Sequence, residues 1–255
     1  MQFPKSRNPG APMLSRESGF FLDLDGTLLD IADHPGTVHI DGQLLRLLKA
    51  LRGAAGGAMA LISGRPVADI DRLLAGSGFC VAGQHGAERR DFSGTMHRHD
   101  VPRAALEEAR RRFGLMAMKH PALVLEDKGV NLALHFRSAP ELRGEMQDAV
   151  HSLARELGGE FEVQLGKMVV ELRPTGKDKG VAIAEFLEEA PFRGRLPVFV
   201  GDDLTDEFGF ALINRVGGHS VKVGEGESAA RWRLPDSAAV RAWLADFVAR
   251  FGEGA

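Results

Sequence analysis

Two acidic clusters stand where apolar stretches of the sequence end. The run GFFLDLDG ends in Asp23 and Asp25, two residues apart. In LPVFVGDDLTDE, Asp202 and Asp203 follow the apolar residues directly. Asp206 stands four residues after Asp202, a spacing that predicts one shared helical face for the two. Two carboxylates about 4 Å apart repel by roughly 4 kcal/mol at an effective dielectric constant near 20. A cation or a shared proton must offset this repulsion, and Mg²⁺ suits carboxylate oxygens.

A serine and two lysines are candidates for binding an anion. Ser63 follows the apolar run AMALI at the start of a predicted helix, where a hydroxyl and free N–H groups can bind an anion. Lys177 and Lys179 lie at the start of another predicted helix, where a cation is unfavourable unless an anion is present. Taken singly, the serine fits a plain helix cap equally well, and either lysine fits a solvated loop better. Asp25 with Gly26 alone fits a turn.

The segments that carry these residues alternate between strand and helix patterns. GFFLDL, AMALI, FCVAG and LPVFVG are predominantly apolar, as expected for parallel strands that are buried on both faces, and SVKVG is predicted as a further short strand. Helical patterns lie between them. This order predicts an α/β fold with a doubly wound, mostly parallel, Rossmann-like sheet and right-handed crossovers. Ligands bind at the carboxyl ends of the strands in such sheets, which is where the acidic residues stand.

The middle of the chain has a different pattern. After the hairpin RRDFSGTMHRH, the order is helix, hairpin, helix, hairpin, which predicts an α+β module with an antiparallel sheet. We therefore predict a catalytic core from residues 1–92 and 175–255, with an inserted substrate-specificity cap at 93–174. The first 18 residues are polar, contain Pro and Gly, and are predicted to form a loose arm.

Composition excludes several classes of protein. The 255 residues are 44% hydrophobic and 26% charged, which argues against disorder, and the single cysteine, Cys80, excludes an intramolecular disulfide framework. A net charge of −3 lacks the excess of basic residues that is expected of a nucleic-acid-binding protein. No apolar run approaches the roughly 20 residues of a membrane helix, and no signal-peptide core is visible. We expect a cytoplasmic protein with no nucleic-acid or membrane partner.

Together, the four sets of residues resemble the motifs of the haloacid-dehalogenase-like phosphatase superfamily. The matching segments are DLDGT at 23–27, Ser63 in LISGR, Lys179 in DKG, and GDDLTDE at 201–207. The resemblance implies that Asp23 attacks phosphorus and that Asp25 is the general acid and base. Ser63 and Lys179 would hold the phosphoryl oxygens.

The same resemblance implies a Mg²⁺ cofactor. Its ligands would be the carboxylate of Asp23, the backbone carbonyl of Asp25 and the carboxylate of Asp202, with Asp203 and Asp206 in support. The sequence leaves open which of the last two contacts the metal directly.

Three further segments resemble trehalose-6-phosphate phosphatases in particular. They are GQHGAERR at 83–90, LEDKGVNLALHFR at 125–137 and VVELRPTGKDKG at 169–180. This resemblance implies that cap residues bind the hydroxyls of a disaccharide, since a site built from carboxylates and lysines rejects analogues that lack those hydroxyls. The substrate-binding residues that we expect are Glu126, Lys128, Glu171, Arg89, His85 and Arg65, with Glu88 near the cap hinge.

The function implied is that of a Mg²⁺-dependent phosphomonoesterase for a small sugar phosphate. It would convert trehalose 6-phosphate to trehalose and phosphate, the last step of trehalose biosynthesis, with a functional link to a trehalose-6-phosphate synthase. One alternative is a phosphatase for another sugar phosphate, such as sucrose 6-phosphate. A second is a signalling receiver domain, although neither Asp25 nor the long insert suits one. A third is a catalytically inactive partner of a synthase, which the complete set of motif residues makes less favourable.

Overall fold

The structure is a computed structural model that describes residues 8–30, 40–166 and 168–252. The strands in these ranges are β1 (Asn8–Pro9), β2 (Ser18–Leu22), β3 (Met59–Ile62), β4 (Cys80–Gly83), β5 (Glu88–Arg90), β6 (Met96–Arg98), β7 (Val124–Asp127), β8 (Leu132–His135), β9 (Phe161–Gly166), β10 (Val169–Pro174), β11 (Leu196–Gly201), β12 (His219–Val223) and β13 (Trp232–Leu234). The α-helices are α1 (Gly42–Ala54), α2 (Val67–Leu73), α3 (Arg103–Lys119), α4 (Arg143–Glu156), α5 (Lys179–Leu187), α6 (Asp206–Arg215) and α7 (Ser237–Phe251).

The chain divides into two compact units. Met1–His97 and Asp178–Ala255 form the core unit, and Arg98–Lys177 form the inserted unit. These limits lie five residues (97 against 92) and three residues (177 against 174) after the predicted boundaries. The first difference has a physical reason: β5 and β6 belong to the sheet of the core unit, so the hairpin does not begin the insert. The roles of catalytic core and specificity cap stay predictions.

The core unit contains a nine-stranded, mostly parallel sheet. Its strand order is β1-β13-β12-β11-β2-β3-β4-β5-β6. In this spatial order, each of the first seven strands, from β1 at the edge to β4, is parallel to its neighbour within that set. From the neighbours β2 and β11 the chain winds outward in opposite directions, which places the topological switch point between these two strands. The predicted fold class, a doubly wound α/β sheet, is confirmed.

Helices cover both faces of this sheet. Along β2, Phe20 and Leu22 pack with α1, α2 and α7, whereas Phe21 packs with α5 and α6 on the opposite face. Phe20 and Phe247 meet edge to face with ring centroids 4.8 Å apart. Because successive side chains of a strand alternate between the two buried faces, the sequence of each strand is a continuous apolar run.

The inserted unit contains the separate antiparallel sheet expected from the sequence. Its order is β7-β8-β10-β9, with antiparallel pairing throughout. The side chains of Leu132, Leu134, Val170 and Leu172 are buried in one cluster with apolar residues of α3 and α4. The alternate residues of β8 and β10 therefore lie on the opposite, more polar face.

The prediction of a loose arm was wrong for the residues that the structure describes. Asn8–Pro9 pair in parallel with β13, and Gly10 donates its N–H to the Arg233 carbonyl at 3.1 Å. The Trp243 Nε1–H donates to the Pro12 carbonyl at 3.1 Å. Residues 1–7 lie outside the described part. Among the described residues, no helix has the length and apolarity that a membrane crossing requires.

Candidate active site

The two acidic segments meet at the switch point of the core sheet. β2 and β11 are paired neighbours with Leu22 opposite Val200, so the residues after both strands emerge at the same edge. Asp23 directly follows β2, and its N–H donates to the Val200 carbonyl at 3.0 Å. Asp202 directly follows β11. The edge of the sheet thus brings together carboxylates that are 179 positions apart in the chain (202 − 23).

Lys179 supplies a buried cation at this edge. Its Nζ donates to Asp23 Oδ1 at 2.8 Å and to Asp206 Oδ1 at 2.7 Å, and the residue is 2% exposed. It begins α5, where Asp178 caps the helix by accepting from the Val181 N–H. Burial alone would lower the pKa of the Lys179 ammonium, but attraction by Asp206 and Asp23 raises it well above its ordinary value. The ammonium therefore stays charged.

Three carboxylates lie close enough to hold one metal ion. Asp23, Asp202 and Asp206 each offer an oxygen, and these oxygens lie within 4.8 Å of one another. Burial raises the pKa of Asp23 and of Asp202, and repulsion from neighbouring carboxylates raises both further despite the attraction of Lys179. A cation bound here would relieve that repulsion. Carboxylate oxygens are the donors that hard divalent cations prefer, so the residues present fit such an ion.

The sequence left open whether Asp203 or Asp206 contacts the metal, and it is Asp206 that lies with the other two carboxylates. Asp203 Oδ1 accepts from Thr205 N at 2.8 Å and from Thr205 Oγ1 at 2.7 Å, so this oxygen is engaged in the turn before α6. Burial raises the pKa of Asp203, but the charge of Lys179 and the Thr205 hydrogen bond outweigh it and lower the pKa to about 2. The three-carboxylate group contains Asp206 and not Asp203.

The expected shared helical face of Asp202 and Asp206 was wrong. Helix α6 begins at Asp206, and Asp202 lies in the preceding loop. The two residues meet because Asp206 Oδ2 accepts from the N–H groups of Asp202 and Asp203, at 2.8 and 2.9 Å. A side chain that binds the loop, rather than helix periodicity, brings the carboxylates together.

Glycine 26 is required for this approach. Gly26 has φ +84°, and an added Cβ would lie 2.2 Å from Asp202 Oδ2. The neighbouring Thr27 donates its hydroxyl to Asp202 Oδ1 at 3.3 Å. Both the backbone conformation and the space therefore exclude a side chain at position 26.

Asp25 is paired with Arg65. The guanidinium donates from Nε to Asp25 Oδ2 at 2.6 Å and from Nη2 to Oδ1 at 2.7 Å. Ser63 is 1% exposed, and its Oγ accepts from the Arg65 backbone N–H at 3.1 Å. Arg65, expected among the substrate-binding residues, is thus seen holding the carboxylate expected to transfer the proton.

Two residues of the HGAER segment, His85 and Arg89, lie in different surroundings. His85 has φ +58°, donates its N–H to the Ser63 carbonyl at 3.0 Å, and lies against Gly64, where an added Cβ would be 2.8 Å from its ring. Arg89 is 5% exposed and pairs with two glutamates, Glu185 of α5 at 3.1 Å and Glu189 just after α5 at 2.8 Å. The structure therefore places His85 beside the LISGR segment that contains Ser63, whereas Arg89 pairs with glutamates in and after α5.

The expected sugar-binding residues converge within the inserted unit. Lys128 Nζ lies 2.6 Å from Glu171 Oε1 and 3.9 Å from Glu126 Oε2. Glu126 Oε2 also lies 2.9 Å from His135 Nε2. Hydrogen bonding to His135 lowers the pKa of Glu126 against the effect of burial, and Lys128 lowers it further. These residues form a charged group on the polar face of the inserted sheet.

Two residues beside these sites, His135 and Lys222, were not predicted from the sequence. His135 contacts Glu126, as described above. Lys222 is 6% exposed, and its Nζ donates to the carbonyls of Asp202 and Val223, the latter at 2.7 Å. A lysine inside the apolar strand SVKVG is the signal that could have identified it, because a buried lysine needs polar partners.

Comparison with known proteins assigns the family. The trehalose-phosphatase family model matches residues 21–238. The trehalose-6-phosphate phosphatase of Escherichia coli (strain K12) is 45% identical over 236 residues, which is 91% of this chain and 87% of that protein.

Solved structures agree with this assignment. The crystal structure of a trehalose-6-phosphate phosphatase related protein superposes with a TM-score of 0.76 at 27% identity, covering 91% of this chain and 97% of the other. A haloacid dehalogenase-like hydrolase from Bacteroides thetaiotaomicron, at 17% identity, shares the fold with a TM-score of 0.65 and covers 90% of this chain and 98% of its own. Motifs, fold and sequence similarity therefore agree that the chain belongs to the trehalose-phosphatase family.

Proposed function

We propose that this protein hydrolyses trehalose 6-phosphate to trehalose and inorganic phosphate. The observation that carries the proposal is the buried group of Asp23, Lys179, Asp202 and Asp206 at the switch point of a chain that belongs to the trehalose-phosphatase family. The comparisons do not favour the alternative of sucrose 6-phosphate. The reaction class follows from the carboxylates, and the substrate follows from the family and from the inserted unit.

A divalent cation, Mg²⁺, fits the carboxylate group. Asp23, Asp202 and Asp206 would hold it, with the backbone carbonyl of Asp25 and the carboxylate of Asp203 as further candidates. When bound, the cation offsets the negative charge of the carboxylates and of the phosphoryl group, so that two anions can approach each other. The fit rests on oxygen donors whose mutual repulsion raises their pKa values, which a cation relieves.

Asp23 and Asp25 have separate tasks in the proposed reaction. A carboxylate oxygen of Asp23 attacks phosphorus, and the bond from phosphorus to the sugar oxygen breaks. Asp25 donates a proton to the leaving oxygen, which releases trehalose. Water then attacks the aspartyl-phosphate while Asp25 takes its proton, and the bond from phosphorus to Asp23 breaks. Phosphate leaves, and both carboxylates return to their first state.

Ser63 and Lys179 stabilise the phosphoryl group as its charge spreads. Lys179 is already charged and fixed by Asp23 and Asp206, so little reorganisation is needed when the negative charge develops. Ser63 is held beside the Arg65 backbone N–H at the start of the loop before α2. His85 and Arg65 lie around the same motif, which supports a role for them in binding the phosphoryl group.

The inserted unit supplies recognition of the sugar. Carboxylates of Glu126 and Glu171 accept hydrogen bonds from hydroxyls, and Lys128 between them donates. These charges already satisfy one another, so they are held in place before a sugar binds. Because the substrate must be made by a trehalose-6-phosphate synthase, a functional link to that enzyme is part of the proposal.

Phosphate release from a panel of substrates tests the proposal. Trehalose 6-phosphate, glucose 6-phosphate, sucrose 6-phosphate and p-nitrophenyl phosphate are compared with Mg²⁺ and with EDTA, beside an Asp23→Asn control. We expect Mg²⁺-dependent preference for trehalose 6-phosphate that is lost in the control. Faster turnover of another sugar phosphate would refute the assignment of trehalose 6-phosphate as the substrate but would support phosphate-ester hydrolysis as the reaction. If folded protein with Mg²⁺ turned over none of these substrates, the proposal that it is a phosphatase would be refuted.

A further inference from the structure

One alanine lies between the two glutamates of the inserted sheet. In the strand register, Ala133 on β8 is the partner of Glu126 on β7 and also of Glu171 on β10. Residues directly opposite each other on neighbouring strands project from the same face. The three side chains thus form one row on the polar face, with a single methyl group in the middle. Leu132 and Leu134 on either side belong to the opposite, apolar face.

The side chain of Lys128 reaches this row from the end of β7. It follows β7, yet its Nζ lies 2.6 Å from Glu171 Oε1 on β10, two strands away. With neighbouring strands about 4.8 Å apart, the two glutamate backbones are separated by roughly 10 Å. The ammonium lies between their carboxylates, 3.9 Å from Glu126 Oε2, and Ala133 is the residue of the sheet between them.

The surroundings of Ala133 are closely packed. Ala133 is fully buried, and Lys128 Nζ lies at hydrogen-bond distance from Glu171 Oε1. A β-branched side chain would extend from the sheet into the space that the lysine crosses, and a packed site pays for extra methyl groups with displaced neighbours.

We propose that Ala133 is a positioning residue that determines specificity for the disaccharide. Its small side chain lets Lys128 reach Glu171 across β8, and so keeps one ammonium between two carboxylates in the arrangement that meets sugar hydroxyls. The inference rests on the proposed function for its substrate, but the register of Ala133 with the two glutamates and the contact of Lys128 with Glu171 are features of the free protein.

The test compares Ala133→Val with Ala133→Ser and with Ala154→Val, the same chemical change in the apolar cluster of the inserted unit. The readout is the ratio of kcat/KM for trehalose 6-phosphate to kcat/KM for p-nitrophenyl phosphate. We expect Ala133→Val to lower this ratio about 10- to 100-fold, mainly through KM, as for the loss of one charged hydrogen-bonding group. Ala133→Ser and Ala154→Val should keep the ratio within about threefold of the parent, because neither blocks the lysine.

A double-mutant cycle with Lys128→Ala identifies the cause. If Ala133→Val acts by displacing the lysine, it should lower the ratio by less than about threefold once the lysine is gone. A full loss in both backgrounds would overturn the inference, as would an unchanged ratio in Ala133→Val alone.

Stability provides a readout that needs no substrate. In urea, Lys128→Ala should lower the unfolding midpoint of the inserted unit in the parent and have little effect in the Ala133→Val background. Equal shifts in both backgrounds would overturn the inference even if trehalose 6-phosphate proved to be the wrong substrate. Coupled shifts together with no turnover of trehalose 6-phosphate would refute the proposed function alone.

Discussion

Replacing Lys179 with methionine tests whether one buried ammonium stabilises the acidic group. Its Nζ donates to Asp23 at 2.8 Å and to Asp206 at 2.7 Å, and the residue is 2% exposed. Methionine has an unbranched, flexible side chain that fills irregular space, so the change removes the charge with little loss of packing. The carboxylates would then face one another without the ammonium between them.

The structure suggests a large loss of stability. Removing one partner of a buried ion pair costs about 3–5 kcal/mol, because the remaining charge is left uncompensated in a medium of low dielectric constant. Lys179 has two such partners, and Asp23 and Asp206 are 4% and 0% exposed. We therefore expect a loss near the upper end of this range, about 4–5 kcal/mol in the free energy of unfolding of the core unit without divalent cations. A bound cation would replace part of the missing charge, so Mg²⁺ should stabilise the variant more than the parent.

Tryptophan fluorescence in urea measures this loss in the core unit. Trp232 and Trp243 both lie in that unit, and the chain contains no tyrosine. Urea adds no ions, so it does not screen the charges under test. Lys49→Met, at an exposed site on α1, is the matched control and should change the free energy of unfolding by no more than about 0.5 kcal/mol. If Lys179→Met in EDTA unfolds within about 1 kcal/mol of this control, the reasoning is refuted.

Three further predictions follow from single contacts. Gly26→Ala should weaken Mg²⁺ binding and phosphate release, because its Cβ would lie 2.2 Å from Asp202 Oδ2; a calorimetric titration that matches the parent would contradict this. Arg89→Leu should lower the free energy of unfolding of the core unit by about 1–3 kcal/mol, because it leaves the partly exposed carboxylates of Glu185 and Glu189 without their cation, and should leave KM unchanged. A raised KM in a stable protein would instead show that Arg89 binds substrate. Asp41→Ala should cost about 1 kcal/mol at neutral pH, because the Asp41 carboxylate caps α1 by accepting from the Leu44 N–H at 2.7 Å. That hydrogen bond lowers the pKa of Asp41, so the stabilisation is present above the unfolded pKa of about 3.9 and is lost as the pH falls through the lower folded pKa. A difference between parent and variant that stays constant down to about pH 2 in urea titrations would contradict this.

Local patterns were sufficient to locate most of the core elements. The leucine spacing in DGQLLRLLKALRG predicts α1, and Leu44, Leu48 and Leu51 are the residues that it buries. The apolar run before Asp23 predicts β2, which is fully buried. These signals are readable because a helix face and a doubly covered strand each leave a periodicity in neighbouring residues.

Elements held by distant partners left no such pattern. β1 and β13 contain two and three residues, and they are strands because each pairs with a neighbour far away in the chain. Residues 202–207 contain four carboxylates, but helix α6 begins only at Asp206, so the first two of them lie in the loop before it. The loop before it is shaped by the hydrogen bonds that Asp206 accepts, which spacing alone does not reveal.

The fold class, the inserted antiparallel module and the acidic residues at the strand ends could all be predicted from the sequence, because apolar periodicity is a property of neighbouring residues. Which side chains meet became evident from the packed structure alone. It joins Asp206 rather than Asp203 to the other carboxylates, pairs Arg65 with Asp25, and turns Arg89 toward α5. These outcomes depend on the directions of side chains carried by separate elements, and those directions are set when the sheet and its helices pack.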